Sequence, residues 1–166
     1  MRSTAPIYLD TNVLISLGDA GSAVGRLLPR ILALQDDAQA PLFLTSRLAF
    51  AELMVKPLRD KERMMASIYA SWAMSSAWLS VCEVDGPLLE LAPLLRAQRP
   101  RLKLPDAIHL ASALVFRCER LLTADLELLD IPALEHPFLG PVDMEPLTIL
   151  RPDEPSLLTL LESISA

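Results

Sequence analysis

The sequence has 166 residues, a length typical of one domain, and 52% of them are hydrophobic, which excludes a disordered chain. Its formal net charge of −6 argues against a surface that coats nucleic acid, because such surfaces bind through basic groups that displace counterions from phosphates. An acidic enzyme can still act on a phosphodiester when a cation offsets the charge of its acids.

Short runs of strand-forming residues alternate with longer stretches of helical character. In chain order the sequence predicts a strand at 7–9, a helix at 22–37, a strand at 42–44, helices at 46–56 and 60–76, a strand at 79–84, helices at 87–98 and 105–116, and strands at 121–122 and 147–150. This order predicts an α/β fold of three layers, with helices on both faces of a mainly parallel sheet of about five strands.

Prolines and one serine mark several element boundaries. Ser46 is a suitable N-cap, and Pro105 suits the first turn of its helix, where the missing N–H costs nothing. Pro29 should kink the second predicted element or split it in two. The stretch 131–155 contains six prolines, so we expect an ordered but irregular excursion around its one strand.

The domain organisation predicted from these features is one catalytic unit over 1–150, followed by an apolar tail over 151–166. Within the tail, 156–164 should form a short helix with an apolar face that packs on the domain or on another chain. The high apolar content also leads us to expect a homodimer.

No membrane or export signal is visible. Apolar runs are shorter than the roughly 18 residues that span a bilayer, and the N-terminal segment lacks the apolar core of a signal peptide. We therefore expect a cytoplasmic protein with no membrane contact. Cys82 and Cys118 match neither a zinc site nor a disulfide framework, and should be buried reduced thiols.

Four acidic residues are placed near one edge of the predicted sheet. Asp10 and Asp125 each follow a strand directly, whereas Glu52 and Asp106 lie on helices. Each has an ordinary alternative role: the two strand-end acids could cap helices or turns, Asp106 could complement a helix dipole, and Glu52 could pair with Lys56.

Taken together, the four acids predict a metal site, because carboxylates about 4 Å apart repel by roughly 4 kcal/mol at an effective dielectric near 20. Oxygen ligands favour Mg²⁺ or Mn²⁺ over zinc, and there is no His or Cys cluster to indicate otherwise. Two histidines are present, His109 and His136. His109 follows Asp106 by one turn and could reach the site, but the sequence favours a packed structural role for it.

A cluster of basic residues precedes Asp106. The cluster consists of Arg96, Arg99, Arg101 and Lys103, four positive charges within eight residues. It could hold an RNA strand near the acids, or it could be a solvated helix end and loop.

Four sequence blocks resemble the PIN-domain nucleases, and among them the VapC-type toxins of type II toxin-antitoxin pairs. The blocks are Tyr8-Leu9-Asp10-Thr11-Asn12-Val13-Leu14, Ala51-Glu52-Leu53, Leu104-Pro105-Asp106-Ala107-Ile108-His109-Leu110-Ala111 and Leu122-Thr123-Ala124-Asp125. The resemblance covers roughly residues 7–150, in the same order and spacing.

This resemblance implies a Mg²⁺- or Mn²⁺-dependent endoribonuclease with one or two ions held by Asp10, Glu52, Asp106 and Asp125. Asn12 and Thr123 match polar positions that orient these ligands. The metal would activate a water for attack on phosphorus and leave 5′-phosphate and 3′-hydroxyl products. A cognate antitoxin and an RNA substrate are the implied partners. Glu127 stands where many relatives have another acid after the fourth Asp, and is an uncertain ligand.

Other classes fit less well. Dehalogenase-type phosphatases need a second Asp two residues after the first, where this chain has Asn12, and receiver domains need an acidic pair that is absent here. A free-standing RNA-processing nuclease remains an alternative to the toxin. A PIN-like module that binds RNA or protein without cutting is a further alternative, which the presence of all four acids argues against.

Overall fold

The computed structural model describes residues 5–35 and 40–165. The strands are β1 (Ile7–Leu9), β2 (Phe43–Ser46), β3 (Leu79–Cys82), β4 (Arg120–Leu122), β5 (Glu135–His136), β6 (Gly140–Pro141) and β7 (Thr148–Leu150). The helices are α1 (Thr11–Leu17), α2 (Ala23–Leu32), α3 (Arg47–Leu53), α4 (Val55–Arg59), α5 (Arg63–Trp72), α6 (Gly86–Gln98), α7 (Leu104–Val115) and α8 (Glu154–Ser165).

Five strands form one parallel sheet in the order β3-β2-β1-β4-β7, which confirms the predicted fold class. The chain moves from β1 outward to β2 and β3, and then crosses to β4 and β7 on the other side of β1. The carboxyl ends of β1 and β4 therefore flank the topological switch point, where open α/β sheets bind their ligands.

Side-chain alternation along the central strand divides the apolar core into two layers. Ile7 and Leu9 pack with Leu14 and Leu28 of the helices α1 and α2, in a cluster that also includes residues of α3, α5 and α8. Tyr8 points to the opposite face and packs in the cluster formed with α6 and α7. The sheet is thus covered on both faces, as expected for parallel strands.

Some predicted boundaries differ from the structure. The helix α1 begins directly after Asp10, and the stretch predicted at 46–56 is divided at Met54 into α3 and α4. The helix α2 runs through Pro29 without a split because its buried residues continue on both sides and the proline is exposed. This helix ends at Leu32, and the end predicted at Asp37 lies outside the described residues.

The close approach of α1 to α2 depends on one glycine. A Cβ at Gly25 would lie 1.9 Å from the backbone oxygen of Asp19. Only a residue without a side chain therefore fits between this turn and the first part of α2.

The proline-rich excursion is ordered. It contains the short antiparallel hairpin of β5 and β6, and an isolated bridge joins Ile131 to Leu147 just before β7. After β7, the helix α8 packs against α2 and buries Leu157 and Leu160 in the core. This packing is consistent with the predicted docking of the tail, although the proposed division at residue 150 stays a prediction.

Two further expectations can be compared with the structure. Cys82 and Cys118 are buried free thiols, as predicted, and burial raises the pKa of Cys82 to about 11.

Within 5–35 and 40–165, the helices are all too short or too polar to cross a membrane.

Candidate active site

Asp10 lies at the carboxyl end of the central strand β1 and is 6% exposed. It is the N-cap of α1, where its Oδ1 accepts a 2.7 Å hydrogen bond from the N–H of Thr11. Its Oδ2 accepts from Asn12 Nδ2 at 2.9 Å and from Thr123 Oγ1 at 2.6 Å. Helix capping and a place in the acidic site are therefore combined in one side chain, whose orientation is fixed by three donors.

Asn12 and Thr123 connect the ends of the two central strands. Asn12 Nδ2 also donates to Thr123 Oγ1 at 3.0 Å, and its Oδ1 accepts from the N–H of Ala124 at 2.9 Å. Thr123 Oγ1 accepts from the N–H of Asp125 at 3.0 Å. The two polar residues that sequence comparison suggested as orienting groups thus contact Asp10 and the backbone that carries Asp125.

Asp125 lies in the turn that follows β4. Its Oδ1 accepts from the N–H of Glu127 at 2.9 Å, so it caps this turn. Arg151, just after β7, donates to the backbone oxygens of Asp125, Leu128 (2.7 Å) and Thr123 (3.4 Å). Because one guanidinium binds three carbonyls, the turn is attached to the edge strand of the sheet. No pattern in the sequence indicates this role of Arg151.

Asp106 lies in the first turn of α7 and is half-buried. Burial raises the pKa of its carboxyl, and the negative charges of Asp125 and Asp10 raise it further, whereas His109 and Lys103 act in the opposite direction. The three aspartates are therefore close enough to interact electrostatically, although they are separated by up to 115 positions in sequence. Asp10 and Asp125 follow the carboxyl ends of β1 and β4, where the strand-end argument placed them, and Asp106 approaches from the first turn of α7.

Glu52 lies on α3 and reaches the same end of the sheet through hydrogen bonds. Its Oε2 accepts from Thr11 Oγ1 and lies 2.9 Å from Nε2 of His109. The hydrogen bond with His109 is the largest effect holding the pKa of Glu52 below its usual range, and the bond with Thr11 adds to it. Lys56, the surface partner considered from sequence, instead pairs with Asp60 at 3.0 Å and Glu62 at 3.1 Å.

His109 contacts the acids in addition to the packed role that the sequence favours. Its side chain is 1% exposed, which agrees with the favoured packed role, but its Nε2 also lies 3.5 Å from Asp10 Oδ1. Its Nδ1 lies 2.8 Å from the hydroxyl of Tyr8. The signal available in the sequence was its position one helical turn after Asp106, which places both on one face of α7.

The donor set is suited to a hard divalent cation, since it consists of carboxylate oxygens whose mutual repulsion a cation would relieve. Within the described residues, no group of three or more His, Cys, Asp or Glu side chains stands close enough to hold an ion as placed. The assignment of the four acids as ligands stays a prediction.

The basic cluster divides into two pairs. Arg96 donates to the backbone oxygen of Leu102 at 3.1 Å, and Arg99 donates to those of Leu129 (3.0 Å) and Asp130 (2.8 Å). In the described part of the chain, Arg101 and Lys103 have no ion-pair partner.

A cavity of about 660 Å³ lies between Asp106 and two members of the basic cluster. Its walls include Arg99, Arg101, Leu102, Asp106, Glu127 and Leu129. It connects one candidate ligand, the uncertain acid Glu127 and the exposed cation Arg101 in one open space.

The chain belongs to the PIN-domain family, since the family model of the PIN domain matches residues 7–134. This match confirms the resemblance inferred from the four sequence blocks. No curated protein matches the sequence.

Two solved structures are similar to this chain. One is the Mycobacterium tuberculosis toxin VapC20, which cleaves the sarcin-ricin loop; it is 24% identical, with a TM-score of 0.53 over 69% of this chain and 86% of that chain. The other is a toxin-antitoxin complex from Klebsiella pneumoniae, 26% identical, with a TM-score of 0.48 over 72% of this chain and 86% of that chain. The similarity to VapC20 supports the α/β fold described for this chain.

Proposed function

We propose that this protein is an endoribonuclease that hydrolyses RNA phosphodiester bonds with Mg²⁺ or Mn²⁺. The observation that supports this most directly is the hydrogen-bond network of Asn12 and Thr123, which holds Asp10 beside the turn of Asp125 at the switch point of the sheet. Asp106 lies near enough that the charges of both acids raise the pKa of its carboxyl. Such crowding of buried or half-buried carboxylates is unfavourable unless a cation offsets it.

Asp10, Glu52, Asp106 and Asp125 are the proposed ligands. A bound Mg²⁺ or Mn²⁺ would supply an activated water and neutralise charge on the scissile phosphate. Three donors already hold Asp10 in one orientation at the end of β1. Glu52 is held ionised by His109 and Thr11, as a ligand must be.

Arg101 and Lys103 are the residues best suited to contact the RNA backbone. Both are exposed, and Lys103 is close enough to lower the pKa of Asp106. Arg99 lies in the wall of the cavity and donates to the backbone oxygens of Leu129 and Asp130. Arg96 lies outside the wall and supports it by donating to the backbone oxygen of Leu102.

Substitution of Asp10 by asparagine tests the proposal. Asp10→Asn keeps the size of the side chain and an oxygen that can accept from the N–H of Thr11, so the protein should still fold. Its melting temperature should be lower, because the new NH₂ group faces the donors Asn12 Nδ2 and Thr123 Oγ1. The substitution removes a negative ligand, so Mg²⁺- or Mn²⁺-dependent cleavage of a single-stranded RNA should fall by about 100-fold or more. Undiminished cleavage by the folded variant would contradict the assignment, and Asp19→Asn, on the turn after α1, is the matched control.

As a biological role we propose a cytoplasmic toxin of a type II toxin-antitoxin pair, working as a homodimer and inhibited by a small antitoxin. The VapC-like sequence blocks support this role. Growth arrest on expression, absent for Asp10→Asn and relieved by co-expression of a small protein encoded next to this one, is the expected result. Absence of growth arrest by the active enzyme would instead favour a free-standing RNA-processing nuclease.

A further inference from the structure

We propose that His109 is a positioning residue that holds Glu52 for metal binding: its Nε2–H donates to Glu52, and a buried contact to Tyr8 holds the ring in place. The proposal rests on the function proposed above, because it assigns to Glu52 the role of a ligand. It gives a function to a histidine that is otherwise explained by packing alone.

The surroundings of Nε2 require that it bears a proton. Three oxygens face it: Glu52 Oε2 at 2.9 Å, Thr11 Oγ1 at 3.4 Å and Asp10 Oδ1 at 3.5 Å. An unprotonated Nε2 would point its lone pair at a carboxylate oxygen of Glu52 only 2.9 Å away, and the two atoms would repel each other. The ring therefore donates from Nε2 to Glu52.

The other side of the ring is held by buried groups. Nδ1 lies 2.8 Å from the hydroxyl of Tyr8, which in turn lies 2.9 Å from Ser46 Oγ. Tyr8 and Ser46 are completely buried, and the rings of Tyr8 and His109 meet edge to face with centroids 5.7 Å apart. Burial raises the pKa of Tyr8, so its hydroxyl stays neutral and can donate or accept. The imidazole cannot turn without breaking this contact.

The contacts of Thr11 and His109 hold one of the two carboxylate oxygens of Glu52. Both bonds, from Thr11 and from His109, reach Oε2, and among the described residues no hydrogen bond reaches Oε1. The Glu52 side chain is 35% exposed, so without these two donors it would sample several rotamers. His109 and Thr11 thus fix the carboxylate by one oxygen and leave the other available to a cation.

The experiment measures Mn²⁺ affinity of the full-length protein by electron paramagnetic resonance of the free ion, without RNA. His109→Leu removes the donor at similar volume, and its dissociation constant for Mn²⁺ should rise by about 10- to 100-fold, the range typical of groups that orient metal ligands. His109→Gln can place an amide N–H near the position of Nε2, and should recover most of the affinity. Unchanged Mn²⁺ binding by a folded His109→Leu variant, or no recovery by His109→Gln, would overturn the proposal.

Two additional variants separate positioning from packing. Tyr8→Phe keeps the ring and removes only the hydroxyl, so it should weaken Mn²⁺ binding by a few-fold, and this measurement decides the matter if His109→Leu fails to fold. In the Glu52→Gln background, His109→Leu should cost little further affinity, since the histidine acts through Glu52. A full additional loss in that double variant would show that His109 acts elsewhere.

The failure of this proposal and that of the proposed function can be distinguished. If the wild-type protein neither binds Mn²⁺ nor cleaves RNA, the proposed nuclease itself is wrong. If the wild-type protein does both while the His109 and Tyr8 variants bind Mn²⁺ normally, only the positioning role is wrong.

Discussion

Thr123 Oγ1 donates a 2.6 Å hydrogen bond to Asp10 Oδ2, and so joins the ends of the two central strands. The hydroxyl has one proton, which goes to the carboxylate, and its lone pairs accept from Asn12 Nδ2 and from the N–H of Asp125. This fully buried side chain therefore has all its hydrogen-bonding capacity occupied. It sets the separation between two of the proposed ligands.

Thr123→Val tests this relationship, because it keeps the shape of the side chain and removes the hydroxyl. Loss of the hydroxyl removes a donor to Asp10 and the acceptor of both Asn12 Nδ2 and the N–H of Asp125, so the free energy of unfolding should fall by about 1–3 kcal/mol. RNA cleavage should fall by about 10-fold or more, since the ligand loses its orientation. Urea denaturation and initial cleavage rates measure the two effects. Thr123→Ser, which keeps the hydroxyl, should remain close to wild type in both, and equal behaviour of the two variants would contradict the role of the hydroxyl.

Asp106→Asn should stabilise the metal-free protein near neutral pH. Burial and the charges of Asp125 and Asp10 raise the pKa of Asp106, so the folded state binds its proton more tightly than the unfolded state. The free energy of unfolding therefore falls as the pH rises from the ordinary aspartate pKa of the unfolded state through the raised pKa of the folded state. The asparagine variant has no proton to lose and keeps its stability over this range. With EDTA, the variant should have the higher melting temperature at about pH 7 and no advantage at about pH 3, where the acid is protonated in both states.

The same comparison gives a test of metal binding by Asp106. Added Mg²⁺ should raise the melting temperature of the wild-type protein, since a ligand of the folded state stabilises it, and should raise that of Asp106→Asn much less. A lower melting temperature for Asp106→Asn in EDTA at neutral pH would contradict the inferred repulsion among the acids.

Arg101→Ala together with Lys103→Ala should weaken RNA cleavage without destabilising the fold. Each residue is exposed and without an ion-pair partner in the described chain, so loss of its charge removes about one phosphate contact. We expect kcat/KM to fall by about 10-fold, and its dependence on salt concentration to become less steep. Arg30→Ala, on the exposed side of α2, is the matched control and should change neither quantity. Wild-type salt dependence in the double variant would refute the assignment of these residues to RNA.

Arg151→Lys should loosen the turn that holds Asp125. A lysine keeps the charge but lacks the planar fork that reaches the carbonyls of Leu128 and Thr123. Unfolding free energy should fall by about 1–2 kcal/mol, and amide hydrogen exchange at Leu128, whose N–H donates to Asp125 O, should become faster. Arg26→Lys, which alters an exposed pair with Glu154, should cost less than about 1 kcal/mol. Equal effects of the two substitutions would show that the fork of Arg151 has no special role.

Several features were predictable because they depend on local pattern. A polar residue directly after a buried strand lies at the carboxyl edge of a parallel sheet, and this rule predicts the positions of Asp10 and Asp125 from sequence alone. The sheet strands were found for the same reason, since apolar runs bounded by turns are local signals. Pro105 and the capping position of Ser46 were also placed as predicted, although the Ser46 hydroxyl contacts Tyr8 and not the helix N-terminus.

Other features depend on how elements distant in sequence pack together, and a local sequence pattern does not predict this packing. The contact of His109 with Glu52 requires a particular rotation of α7 relative to α3, which no periodicity specifies. Arg151 reaches Asp125 across 26 positions, through a proline-rich segment whose path the sequence does not determine. The split predicted at Pro29 does not occur, because the buried face of α2 stabilises the helix by more than the loss of one hydrogen bond costs.

The packing of α8 on α2 has a practical consequence for anyone who shortens this protein. The family model ends at residue 134, but the edge strand β7, Arg151 and the buried leucines 157 and 160 all lie after that point. A chain cut back to the matched region would expose apolar surface on α2 and leave β4 as an unprotected sheet edge, a setting that promotes aggregation. Affinity tags and fusion partners are therefore better attached beyond Ser165 than placed at the boundary of the family match.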